Sequence, residues 1–124
     1  MSSSQQNALP LPRAQDFDYS ERGPVGHYLL LIQQPGRTRI PSHDAPISND
    51  GKTVLDLMLR LANQEVTAEY VSESIPGFNG DPQRIKDAFH QVRVAIGELI
   101  RCPKTRDQVL QPGANGGLKL VLAK

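Results

Sequence analysis

The stretch "IKDAFHQVRVAIGELI", Ile85 to Ile100, decides how this chain is read. Its residues Ile85, Ala88, Phe89, Val92, Ala95, Ile96, Leu99 and Ile100 recur at spacings of three and four, the stripe of an amphipathic helix packed on a core. Start signals lie just upstream. Asp81 can cap the helix, and Pro82 suits the first helical position, where its missing N–H is no loss. Cys102-Pro103 ends it, giving a helix over 82–101. Turning about 100° per residue away from Val92 brings Gln83, Lys86, Asp87, His90, Val94, Gly97 and Arg101 to the far side, with Arg93 at the border. A face meeting only water would carry Glu, Lys and Gln throughout. This one holds a valine, and a glycine that costs about 1 kcal/mol in a helix interior relative to alanine. Such a face is expected to touch something.

Working outward, two shorter helices precede the long one. "NDGKTVLDLMLRLAN" places Val54, Met58 and Leu61 on one stripe with Leu55, Leu59 and Ala62 beside it, capped by Asn49 or Asp50. "TAEYVSESI" has Thr67 as a cap, Glu69 near the positive end of the helix, and Pro76-Gly77 as a stop. Ahead of these, "HYLLLIQQ" reads as a strand, Pro35-Gly36 as a turn and "RTRI" (37–40) as a short returning strand; "PSHDAP" (41–46) reads as a connector. After the long helix, "QVLQ", "PGANGG" and "LKLVLA" read as a hairpin, with Asn115-Gly116 in its turn and Leu118, Leu120 and Leu122 to one side. Residues 1–24 are polar, punctuated by proline and without apolar period, and are expected to form a disordered arm before a domain spanning 25–124.

The chain has 124 residues, enough for one domain and a tail. Net charge is +1, but residues 81–124 hold 8 Lys/Arg against 4 Asp/Glu, so basic charge gathers in the C-terminal third. The one cysteine, Cys102, excludes an internal disulfide and fits a cytoplasmic setting. The longest aliphatic and aromatic run, Tyr28–Ile32, is far short of the roughly 20 residues of a membrane span. The N-terminus lacks the basic-then-apolar order of a signal peptide.

Several chemistries are disfavoured on spacing. "DGKT" (50–53) resembles the end of a phosphate-binding loop, but the glycine needed five residues before Gly51 is Pro46. "GANGG" leads into a strand, so no helix N-terminus is at hand for an anion. His27, His43 and His90 are too scattered for a metal site. No Ser-His-Asp or Cys-His arrangement is visible. Neither an enzyme, a metal nor a cofactor is expected.

The frame resembles the winged helix-turn-helix DNA-binding domains of the OmpR/PhoB type over about residues 26–123. Ile47-Ser48 ahead of Val54-Leu55, Leu61-Ala62 before "VTAEYVSESI", the series Ile85, Phe89, Val92-Arg93, Ile96, and Gly117-Leu118-Lys119-Leu120 match that family's pattern. Gly51 stands near the family's acidic residue in the first helix. Ala114 and Asn115 stand around its wing arginine, and Leu118 replaces its tyrosine. The resemblance implies an α+β fold: an N-terminal β-hairpin, three helices and a C-terminal β-hairpin wing. It implies double-stranded DNA as partner, with the third helix in the major groove. The expected contacts are Gln83, Arg84, Lys86, His90, Arg93, Val94, Gly97 and Arg101 on the helix, and Asn115 and Lys119 on the hairpin. A domain this small buries limited DNA surface, so a homodimer or tandem binding is expected. The alternative is a protein-interaction module, an adaptor or antagonist of a regulator, that uses the exposed face of the long helix and has lost DNA binding.

Overall fold

Strand formation begins earlier in the chain than its polar composition predicts. In the computed structural model, which describes residues 11–32, 40–78 and 80–123, Phe17–Arg22 form β1, Val25–Ile32 β2 and Ile40–Ile47 β3. They make one antiparallel sheet in the order β1-β2-β3. Residues 17–22, expected in a disordered arm, pair with β2 from Phe17 opposite Leu30 to Arg22 opposite Val25. The physical reason is short-range alternation: Phe17 is buried and Asp18 exposed, enough to seat a strand on a ready neighbour. Residues 1–10 of the expected arm, the turn at 35–36 and the returning strand up to 39 lie outside the described residues.

The expected N-terminal hairpin is therefore a three-stranded sheet, and "PSHDAP", expected as a connector, is most of β3. Prolines are tolerated because, among the described residues, β3 is an edge strand that pairs on one side with β2. Its alternation is regular. Ala45 and Ile47 are buried while Asp44 and Pro46 are exposed.

Helix α1 spans Asn49–Arg60, and its cap is Ser48 rather than Asn49 or Asp50: the Ser48 hydroxyl accepts the Gly51 N–H at 3.1 Å. Val54, Leu55 and Met58 form its buried stripe. The sheet is tied to it by the Tyr28 hydroxyl, which donates to Asp56; Lys52 Nζ reaches the other Asp56 oxygen at 2.8 Å. Partial burial at this junction pushes the Asp56 carboxyl above its ordinary pKa.

A two-residue strand β4, Glu65–Val66, leads to α2, Ala68–Ser74, whose cap Thr67 accepts the Tyr70 N–H at 3.1 Å. A 3₁₀ turn over Pro76–Phe78 buries Phe78. Helix α3 then spans Pro82–Leu99, with Asp81 accepting the N–H groups of Gln83 and Arg84. It stops two residues short of the expected Arg101, because a fourth helix starts there. Cys102 is the N-cap and Pro103 the first residue of α4, Pro103–Val109. Proline at that place opens a helix as well as it closes one. "QVLQ", expected as a strand, is thus divided between α4 and β5, Leu110–Pro112.

Strand β6, Leu118–Leu120, lies between β4 and β5 in a second antiparallel sheet. The fold is α+β, with four α-helices and two three-stranded antiparallel sheets among the described residues. One core joins them. α3 packs against α1, α2 and β3, and Leu118 and Leu120 of the second sheet enter the same cluster with Leu122 just beyond it.

Gly117 sits where β6 meets β4, and a Cβ placed there would run into the Val66 carbonyl oxygen. Gly117→Ala should therefore cost about 1–3 kcal/mol by forcing backbone apart in a packed region. Urea denaturation checks this; an unchanged midpoint would show that β4 yields freely.

Candidate functional site

The exposed face of α3 holds Gln83, Lys86, Asp87, His90, Arg93 and Val94, all of them solvent-exposed after folding. Val94 is 47% exposed, one of three large hydrophobic residues so placed among the described residues. Gly97, one turn on, is half-buried, and what covers it is α4. An ideal Cβ at Gly97 would stand 3.9 Å from Arg106 Cδ, an ordinary contact, so the glycine is not demanded by a clash. It lines a groove of about 610 Å³ together with Arg93, Val94, Arg106, Leu110 and Leu118 among others. The face therefore borders α4 and the β5–β6 hairpin.

Not every expected contact residue has its polar groups free, although all of the following are solvent-exposed. Arg84 grips Asp50 with two nitrogens at 2.8 and 2.9 Å, donates to the Gly77 carbonyl at 2.7 Å, and lies 5.1 Å from the Phe78 ring centre. The hydrogen bond from Arg84 holds the Asp50 carboxyl below its usual range, and the same bond raises the guanidinium pKa. Arg84 is thus a tie between α1, the α2–α3 turn and α3. Gln83 Nε2 donates to Asp87 at 2.9 Å along the helix. Arg101 stands 3.7 Å from Glu98, an exposed and weak pair.

On the hairpin, Asn115 is engaged by Glu65. Its backbone N–H reaches Oε2 at 3.0 Å and its side-chain amide reaches Oε1 at 3.1 Å. The Gly117 N–H adds a third donor at 2.8 Å. These bonds, Gly117's first, hold the Glu65 carboxyl below its ordinary pKa. Lys119 is half-buried, and its charge acts on the same carboxylate. The tip, residues 113–117, carries no charged side chain at all.

The sequence reading missed α4 and its cations Lys104 and Arg106, as well as the Glu65 clasp. Cys102-Pro103 followed by "KTRDQV" was the available signal, a proline at a first helical position. His27, His43 and His90 fall on β2, β3 and α3, and the described residues contain no group of three or more His, Cys, Asp and Glu placed to hold a metal ion. No helix among the described residues is long and apolar enough to cross a membrane. Comparisons with protein-family models, curated proteins and solved structures returned no match.

Proposed function

We propose that this chain is a DNA-binding transcriptional regulator on a winged helix-turn-helix frame, with α3 in the major groove of double-stranded DNA. Support comes from the element order: α1, β4, α2, α3, the short α4 and a closing hairpin, with β6 seated between β4 and β5. The observation that carries the reading is the face of α3, which keeps Lys86, His90, Arg93 and Val94 exposed along an 18-residue helix. At 1.5 Å per residue that helix is about 27 Å long, and the major groove admits an α-helix. Lys86 and Arg93 suit phosphates. His90, and Gln83 once its amide exchanges its bond to the exposed Asp87 for one to a base, suit base edges, and Val94 suits a thymine methyl. Arg84 and Asn115 drop out of the contact set, since both are held within the domain. Two copies on adjacent half-sites would supply the surface that one small domain lacks.

Fluorescence anisotropy with random duplex across a salt series tests this. Lys86→Ala/Arg93→Ala should weaken binding to all sequences alike and lower the slope of log K against log salt by about 0.9 per lost phosphate contact. Wild-type protein that fails to bind at low salt, or a double variant with an unchanged slope, would sink the reading.

One observation favours a second reading, the protein-interaction module. Val94 stands at the edge of a groove walled by Leu110 and Leu118, beside a hairpin tip without cations. Absence of duplex binding at low salt would leave this reading in possession.

A further inference from the structure

We infer that α4, not the hairpin tip, supplies the phosphate contacts that flank α3 on DNA; this rests on the DNA-binding reading above. A helix in the major groove needs cations beside it to hold the flanking backbone. The hairpin is poorly equipped for that task. Its tip has no charged side chain, its one amide side chain and two of its backbone N–H groups are given to Glu65, and Lys119 is the cross-strand partner of that same Glu65.

Helix α4 is equipped. It runs beside the exposed face of α3, with Arg106 alongside Gly97, and the groove between them has Arg93 on one wall and Arg106 on the other. Exposed Arg101 and Lys104 extend the cationic edge from the end of α3 into α4. Two carboxylates, Glu98 and Asp107, also line the groove. Glu98 is 3.7 Å from Arg101 and Asp107 is 3.6 Å from Arg106. Exposed pairs of this length contribute little, so a phosphate can replace either carboxylate as the partner of its arginine. Gly97 lines the same groove, and the Arg106 stem lies across it, so a side chain there larger than a methyl would push the guanidinium aside.

The test uses the full chain and random duplex in a salt series. Lys104→Ala/Arg106→Gln removes two charges while keeping most of the Arg106 stem against Gly97, and circular dichroism with thermal melting verifies that it folds. Asn115→Ala/Lys119→Gln is the hairpin counterpart. The α4 variant should lower the salt slope by about 1.8, at about 0.9 per contact, and the hairpin variant should leave it unchanged. The loss of affinity between 50 and 200 mM salt then shrinks about tenfold for the α4 variant alone. If the hairpin variant lowers the slope, or the α4 variant leaves it intact while Lys86→Ala/Arg93→Ala still lowers it, the assignment to α4 is overturned and the DNA reading stands. If wild-type protein binds no duplex at low salt, both fall together.

Discussion

Phe89→Ala should destabilise the protein by about 3–5 kcal/mol, the usual cost of deleting a buried aromatic ring. Phe89 is 5% exposed and lies on the α3 stripe between Ile85 and Val92, both fully in the core. The same cluster holds Leu55 and Met58 of α1 and Val71 of α2, with Leu59 packed at its border. Removing the ring takes away both its transfer free energy and the contacts of its neighbours, because helices anchored at several points close only partly on the void. Domains of this size have roughly 5–15 kcal/mol to lose, so the variant should stand near the threshold of folding. Urea denaturation measures it through the midpoint at constant slope. Phe89→Leu, which keeps most of the volume, should cost far less. A Phe89→Ala variant that melts with the wild type would remove the centre of the packing scheme described above.

Removing residues 1–22 should lower stability by at least about 1.5–3 kcal/mol, the value of burying one phenylalanine. The deletion takes Phe17, which is 7% exposed, and with it the whole of β1 and its ladder to β2. It also takes Tyr19. That ring lies so close over Gly26 that a side chain at 26 would strike it, and its centre is 5.3 Å from the Tyr28 ring. Lys52 Nζ lies over the same ring, 4.6 Å from its centre. Without β1, water reaches Tyr28, which is 2% exposed in the intact fold. Phe17→Ala alone should reproduce much of the loss. A truncated chain with the melting temperature of the full one would mean that the domain starts at β2 after all.

These two cases also mark what could be read from the residues beforehand. Phe89 was legible because 18 residues allow a 3.6-residue period to repeat, and because Asp81-Pro82 marks the start independently. Strand β1 was not, since six residues with one buried member give no period that stands out from polar chain. In β3 the prolines spoke for a connector, and only its edge position makes them compatible with a strand. Helix α4 has seven residues and buries just Thr105 and Val109, too few for a stripe. The cap falls on Ser48, one or two residues before the expected Asn49 or Asp50, because all three residues are competent to cap.

For the site, the exposed positions of α3 followed from helical geometry alone. The fate of Arg84 and Asn115 did not, because their partners Asp50 and Glu65 lie 34 and 50 positions away. Pairings at that distance are products of the tertiary fold. Nothing in the local pattern announces them.

The Glu65 clasp has a consequence for the thermodynamics of any encounter with this surface. An untethered glycine-rich tip would have to be frozen when a partner arrives, at about 1–2 kcal/mol of backbone entropy for each residue ordered. Here the carboxylate has already closed the tip onto the end of β4 during folding. A partner resting against the hairpin meets a preorganised surface, so little of its contact energy is diverted to ordering loops. The same rigidity removes the hairpin's freedom to adapt its shape to different partners. Glu65, far from the tip in sequence, thereby favours selectivity over breadth.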